Sequence, residues 1–282
     1  MNRTFSTRVI RVIVILSIVI MFFPVYMTIV GSTHSMTALL KKPVPVLPGP
    51  HFLDNMKTAI FSGAQSAGKF SASGLTMLKN TLLVSLGITT GKICISFLAA
   101  YALSFFKFPG KELFFRMVLI TLMLPLEVRI IPTYAITASL GLLNSYGGII
   151  LPSIASATAT FIYRQTFAGV PEEITEAAMI DGAGPLTFMW WILLPMTKTI
   201  TAALVVILFI YGWNLYLWPL IITTDPQLHT IVVGIYNMLN AGDQQAEWNV
   251  MMAATLLAMI PPVLIIITMQ KQFIEGMNEK DK

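Results

Sequence analysis

Six stretches of this chain, at about Val9 to Gly31, Met77 to Phe106, Phe114 to Ile136, Gly148 to Ala168, Thr199 to Ile222 and Val250 to Met269, are apolar over lengths close to a bilayer crossing. A hydrocarbon core about 30 Å thick takes about 20 helical residues at a rise of about 1.5 Å each. No water reaches the backbone inside it, so such stretches are confined to helices that satisfy their own N–H and C=O groups. Composition agrees: 11% of residues are charged and mean hydropathy is +0.77, where a soluble domain carries about 25% charged residues. The expectation is an all-α integral membrane protein, one transmembrane domain over residues 1–282 with six spans and both termini on one side.

Positive charge sets an orientation. Eleven Lys and Arg residues fall before the first stretch, in the 107–116 turn, in the 164–198 segment and in the tail, against six on the other side, five of those around the long first loop. Lys and Arg accumulate in short cytoplasmic loops, so both termini of this multi-pass chain are expected in the cytoplasm. Arg3, Arg8 and Arg11 precede the first stretch as in a secretory signal. Its apolar core is too long for one and no A-x-A site follows, so it reads as a retained span.

On the opposite side, residues 33–75 contain KKPVPVLPGPH, whose prolines favour extended or turning backbone, and the Gly/Ser/Ala-rich SGAQSAGKFSASG. This segment reads equally as a connector and as a docking surface for an external partner. Residues 223–249 mix turn signals with aromatic and apolar residues, which predicts structure of their own.

Several functions are disfavoured. The formal charge of +5 does not point to nucleic acid, because the 18 Lys and Arg are scattered between apolar runs. The single Cys94 excludes an internal disulfide and reads as packing. His34, His51 and His229 lack ligand spacing and read as surface residues, so no metal site is expected. Neither H-E-x-x-H nor G-x-S-x-G is present, which counts against a membrane protease or esterase. GITTGKI at 87–93 is not a P-loop, since three residues separate its glycines where four are needed and Ile93 follows the lysine. Gly87 and Gly91 instead form a small-xxx-small pattern suited to helix packing.

One stretch, EEITEAAMIDGAGPLTFMWWILLP at 172–195, interrupts the apolar pattern. Pro171 suits a first helical turn, Glu172 and Glu173 favour the positive end of the dipole, and Gly182 can take the left-handed conformation that stops a helix. Gly184 and Pro185 then begin a second piece ending near Pro195. The prediction is a short helix, a turn and a helix leading into the fifth span, within a loop at 169–197. Ile174, Ala177 and Ala178 share a face, where two alanines let another protein approach closely; the same spacing also suits an ordinary amphipathic connector.

The spacing of Glu176, Ala177 and Ala178, then Gly182, Ile192, Leu194 and Pro195, resembles in full the EAA loop of permease subunits of bacterial ABC importers. The likeness continues through ITLMLPLEVRIIPTY (120–134), LPSIASATATFIYRQTF (151–167), FIYGWNLYLWPLIITTD (209–225) and EWNVMMAATLLAMIPPVLIIITMQ (247–270). These segments are similar to permeases of sn-glycerol-3-phosphate importers within the maltose-permease superfamily. The resemblance implies a type I importer permease fold in a bacterial inner membrane, with 169–197 as a cytoplasmic coupling loop. It implies that Glu176, Ala177, Ala178, Asp181, Gly182, Leu194 and Pro195 carry the contact with an ATPase. Its implied partners are a homologous second permease, a dimer of ATP-binding subunits, a periplasmic or lipid-anchored binding protein, and membrane lipid. ATP and Mg would be bound by the ATPase, leaving this chain non-catalytic and without a cofactor of its own. The tail, KQFIEGMNEKDK, lacks the Gly-Ala-Val-Lys-Gly ending common in sugar permeases, which leaves a tail contact with the ATPase open.

Cargo is the finer question. Lys92 lies several turns inside the second span, where an ionisable group costs on the order of a few kcal/mol unless it faces protein or water. It reads either as a snorkelling or internally paired lysine or as a cation lining an anion's path. Glu127 and Arg129 lie between Pro125 and Pro132 in a span expected to break or kink. They read as headgroup or span contacts, or with Arg129 as a gate whose planar fork suits phosphate. GWNLYLWP gathers Trp213, Asn214, Tyr216, Trp218 and Pro219. This is an interfacial belt, or a path wall in which Asn214 bonds hydroxyls and Pro219 opens the helix. The expected substrate is sn-glycerol-3-phosphate or a glycerophosphodiester. A permease for a neutral sugar or polyol shares the coupling features, and an ATPase-independent channel or membrane enzyme is a remote third reading.

Overall fold

The computed structural model describes residues 3–63, 72–240 and 246–278, with side chains from 10 to 269 in those stretches except at Leu126 and Glu127. Every regular element among them is helical. In chain order these are α1 (Arg3–Ser32), α2 (Met36–Leu39), α3 (Phe52–Lys57) continued by a π-helical turn (Thr58–Ser62), α4 (Gly74–Phe105), α5 (Lys111–Leu122) and α6 (Leu126–Ser139). There follow α7 (Tyr146–Ile150) with a 3-10 turn (Leu151–Ser153), α8 (Ala157–Phe167), α9 (Glu172–Ile180), α10 (Pro185–Thr187), a π-helical stretch (Phe188–Leu193) and α11 (Leu194–Met196). The last are α12 (Lys198–Trp213), α13 (Leu217–Ile222), a 3-10 turn (Pro226–Leu228), α14 (Ile231–Leu239) and α15 (Trp248–Asn278).

Among the described residues, three helices are long and apolar enough to cross a membrane unbroken: Ile10–Ser32, Gly74–Phe105 and Trp248–Met269. Two bent pairs raise this to five if each is one span: Tyr146–Ser153 with Ala157–Phe167 at 44°, and Pro185–Met196 with Lys198–Trp213 at 77°. The third apolar stretch is divided between α5 and α6, of 12 and 14 residues. Its break is at Pro125, which disfavours helix at Leu124 and stands as the N-cap of α6 with ψ 148°. Pro132 lies inside α6 without ending it.

In the fifth stretch the break falls at Asn214 to Tyr216, ahead of Pro219. Asn214 turns its Nδ2 back onto the Ile210 carbonyl oxygen at 2.9 Å. Pro219 is the third residue of α13, where a missing N–H leaves no gap in the helix. Four residues before it stands Leu215, whose carbonyl would meet the Pro219 ring in a continuous helix, so the opening at 214–216 falls where this proline excludes helix.

The chain forms two compact units. One comprises residues 1–78 and 229–260. Here α1 turns its apolar residues outward, Ile20 at 70% and Met21 at 76% exposure, a surface suited to lipid or to another protein. The loop after it is a folded strap. Asn55 donates to the carbonyl oxygens of Ser32 and His34, both at 2.8 Å, and accepts from Asn249 Nδ2 at 2.7 Å. His229 departs from its expected surface position. It is buried, with Nδ1 3.4 Å from Asn237 Nδ2, because it leads into α14, whose Ile231, Val233 and Met238 are buried. Most of the Gly/Ser/Ala-rich stretch, at 64–71, and the last four tail residues lie outside the described residues.

The other unit comprises residues 79–228 and 261–282. Its aromatic core joins Phe97 and Tyr101 of α4, Tyr163 and Phe167 of α8, and Phe188, with Leu204 and Leu208 of α12 against them. Gly87 and Gly91 lie within unbroken α4 and face α7 and the segment after it. A Cβ on Gly87 would stand 2.8 Å from Ile150 Cδ1, and one on Gly91 would stand 2.9 Å from Ile154 Cβ. Cys94, expected to pack, is exposed, on the outward side of α4 with Ile95 and Leu98. Asn144, at φ 50°, accepts from the N–H groups of Thr224 at 2.6 Å and Asp225 at 3.1 Å. It clamps the α6–α7 turn to the end of α13.

Candidate functional site

The polar loop is built as two arms. α9 starts at Glu172, with Pro171 as its N-cap and Glu172 and Glu173 in its first turn, where the dipole favours negative charge. It ends in a Schellman turn: Gly182 has φ +75°, its N–H bonds the Met179 carbonyl at 3.1 Å, and the Ala183 N–H bonds that of Ala178 at 2.9 Å. The second arm, 185–196, meets α12 at Thr197. That residue is buried, and its Oγ1 lies 3.0 Å from the Leu193 carbonyl oxygen and 3.2 Å from that of Leu194.

Glu176, Ala177, Asp181, Gly182 and Pro195 are exposed, and Leu194 is half-buried. Ala178 is buried in the aromatic core. The two alanines therefore differ: Ala177 faces outward, while Ala178 lets α9 settle on its own chain. Around them Met179, Ile180, Leu186 and Trp191 are exposed, Ile180 at 86%, an apolar surface of the kind protein partners cover.

Beneath the loop, the Tyr101 hydroxyl donates to the Pro185 carbonyl oxygen at 2.8 Å, and that of Tyr163 to Thr201 Oγ1 at 3.0 Å. Phe97 meets Tyr163 and Phe167 edge-on, both with centroids 5.2 Å apart, and Phe105 meets Phe188 at 5.3 Å. These rings join α4 and α8 to the second arm of the loop, and a cavity of about 240 Å³ lies between Tyr101, Phe105 and Phe188 and the Thr175, Ala178 and Met179 side of α9.

A second feature is a cavity of about 90 Å³ lined by Lys92 of α4, Arg129 and Thr133 of α6, Ser153, Tyr211 of α12 and Trp218 of α13. Lys92 is 7% exposed, with Nζ 4.3 Å from the Tyr211 ring centroid, a cation–π arrangement. Among the described side chains no carboxylate pairs with it. Two cations bordering one partly desolvated space repel each other, and an anion between them removes that cost. Trp218 Nε1 donates to the Gly148 carbonyl oxygen at 3.1 Å, so its polar end is occupied and its ring serves as wall.

Of the path residues expected from sequence, Lys92, Arg129 and Trp218 meet here. Trp213 is buried elsewhere, stacked on Phe209 with centroids 5.6 Å apart. Asn214 donates one N–H to the Ile210 carbonyl oxygen, and neither it nor the exposed Tyr216 lines the cavity. Glu127 lies in the first turn of α6, with its side chain outside the described residues. Sequence reasoning misses Tyr211, which lines the cavity with Leu215 and Trp218 across the break between α12 and α13.

Residues 92–279 match the family described as "Binding-protein-dependent transport system inner membrane component". The chain is 46% identical over 281 residues to the "sn-glycerol-3-phosphate transport system permease protein UgpE" of Brucella melitensis, covering 100% of this chain and 99% of that one. Same-named proteins of Rhizobium meliloti and Salmonella typhi are 46% and 47% identical over the same shares. Among solved structures, a bacterial ABC transporter involved in the import of the acidic polysaccharide alginate is similar with TM-score 0.79 and 21% identity, over 96% of this chain and 98% of that one. A bacterial alginate ABC transporter in complex with alginate pentasaccharide-bound periplasmic protein is similar with TM-score 0.62 and 15% identity, over 94% of each. At those identities the likeness shows the fold alone. Taken with the loop spacing and the helical architecture, these matches establish that the chain belongs to the inner-membrane components of binding-protein-dependent transport systems, as a permease with the ABC importer fold.

Proposed function

We propose that this chain is one of two homologous permease subunits of an ATP-driven importer and forms half of the path for sn-glycerol-3-phosphate or a closely related glycerophosphodiester. The observation that carries the substrate is identity over the whole chain to permeases named for that phosphate ester. The chemistry of the cavity supports it. Lys92 offers a compact ammonium and Arg129 a planar fork for phosphate oxygens, and the rings of Tyr211 and Trp218 suit the carbon chain.

Nucleotide would be handled elsewhere, since residues 87–93 lie inside α4 and offer no phosphate-binding loop. In this reading two ATP-binding subunits, holding ATP and Mg, receive the exposed side of α9 in a cleft. Both termini and α9 then lie in the cytoplasm, and residues 33–75 and 223–249 face a periplasmic or lipid-anchored binding protein. ATP binding moves α9, and the rings beneath it pass the movement to the spans. Each ligand shifts the inward–outward equilibrium only by its differential affinity for the two states, so the loop contact has to be stiff.

The test is radiolabelled uptake into proteoliposomes holding this chain with its second permease, ATPase and binding protein. ATP-dependent uptake of sn-glycerol-3-phosphate is expected. ATP-dependent uptake of a neutral sugar in its place overturns the substrate reading, and uptake without the ATPase overturns the importer reading.

A further inference from the structure

We infer that the junction of α4, α5 and α8 is a binding site for the headgroup of an anionic phospholipid. A cavity of about 400 Å³ opens there, bordered by Ser104, Lys111, Phe115, Phe161, Arg164 and Gln165. It is separate from the Lys92 cavity and does not depend on the substrate assigned to that one.

The polar groups at this junction leave capacity for a phosphate. Lys111 Nζ donates to the Ser104 carbonyl oxygen at 2.9 Å, and an ammonium has two further protons to give. Arg164 Nη2 donates to Glu112 Oε1 at 2.9 Å. This holds one edge of a guanidinium that has five N–H groups in all. Its face lies on the Phe115 ring, 3.7 Å from the centroid, and Phe115 is stacked on Phe161 with centroids 6.3 Å apart. The fork is therefore held in a fixed plane before any ligand arrives. Ser104 also borders the cavity, although its Oγ is itself buried. Glu112 supplies the opposing charge, but its side chain is 62% exposed, so water screens it more than the two cations.

A free phosphate would use these groups alone, whereas a lipid also needs a track for its acyl chains. α5 provides one. Leu113, Met117 and Ile120 are exposed at 57%, 50% and 59% and follow the i, i+4, i+7 spacing of one helical stripe, beginning two residues after Lys111. Cations at the end of a span, with an apolar stripe running from them into the bilayer, match headgroup and tails in the correct order.

The experiment is native mass spectrometry of the assembled importer, extracted in detergent and supplied with phosphatidylglycerol or phosphatidylcholine, for the wild type, Lys111→Gln and Ser104→Leu. The wild type is expected to retain phosphatidylglycerol in preference to phosphatidylcholine. Lys111→Gln should weaken the anionic lipid about fivefold, the share of one cation near a headgroup, and leave phosphatidylcholine unchanged. Ser104→Leu should displace phosphatidylglycerol by filling the cavity wall; with two variants, the assignment survives a failure of either one to assemble. Equal retention of both lipids, or undiminished phosphatidylglycerol in the assembled variants, overturns the site. Displacement of the lipid by an equal concentration of inorganic phosphate overturns the lipid in favour of a soluble anion.

Discussion

The hydroxyl of Tyr101, on α4, donates a 2.8 Å hydrogen bond to the carbonyl oxygen of Pro185, the residue that opens the second arm of the polar loop. A membrane helix and a surface loop are thereby joined at one atom pair, beside the stacked rings of Tyr101 and Phe188.

Tyr101→Phe keeps the ring and deletes that bond. A neutral hydrogen bond contributes about 1 kcal/mol net, so the complex should lose about that much stability. Uptake should fall further than ATP hydrolysis does, because the loop then shifts partly without the span. The ratio of substrate transported to ATP hydrolysed measures this, and an unchanged ratio rules out a coupling role for the bond.

The two loop glycines give a matched comparison. Gly182 has φ +75° and Gly184 has φ −67°, and a Cβ on either would meet nothing within 4 Å. Gly182→Ala therefore isolates backbone strain of about 1–2 kcal/mol and should reduce uptake and the stimulation of ATPase activity by loaded binding protein. Gly184→Ala should behave as the wild type. Equal effects of the two would show that the left-handed turn does not matter.

Gly91→Val should destabilise the chain, since its Cβ meets Ile154 and overpacking costs about 1–3 kcal/mol. Ile154→Ala in the same chain should restore part of the loss. Thermal unfolding of the single and double variants in detergent reads the coupling, and strictly additive losses would contradict the contact.

Lys92→Met and Arg129→Gln bear on cargo. Hydrogen bonds to charged groups contribute about 1.5–3 kcal/mol, so each variant should raise the KM for transported phosphate ester roughly tenfold or more. Affinity of the isolated binding protein is unaffected. Met retains the length of Lys92 and removes a buried charge, so protein levels should hold. Unchanged KM in both variants at normal levels would assign the cations a structural role.

What the sequence revealed and what it hid divide along a physical line. Gly182 and the Gly87–Gly91 pair were legible because a left-handed turn and a close helix contact are demands that a single residue type meets. Ala177 and Ala178 were not separable, since helical spacing gives the angle between two side chains but not the direction in which the core lies. The opening before Pro219 was legible because its ring excludes helix at Leu215, four residues earlier, whereas the turn of Asn214 onto Ile210 that ends α12 is a local bond that residue type alone does not announce. Lys92 was legible as an anomaly. Its neighbour Tyr211 comes from a distant part of the chain and was masked by two more conspicuous tryptophans. His229 and Cys94 were placed on the wrong sides for the same reason: one residue's polarity does not report the tertiary face it occupies.

The 77° bend between the second loop arm and α12 makes the chain a bell crank. Thr197 sits buried at the corner with its hydroxyl bonded back into the arm, a local back-bond of the kind that bends helices. A thrust along an arm set nearly at right angles to the next reaches α12 almost wholly as a sideways sweep. The far end of α12, where Tyr211 meets Lys92, would then travel on an arc. In the proposed importer this corner favours a swing of α12 over a piston stroke along its axis.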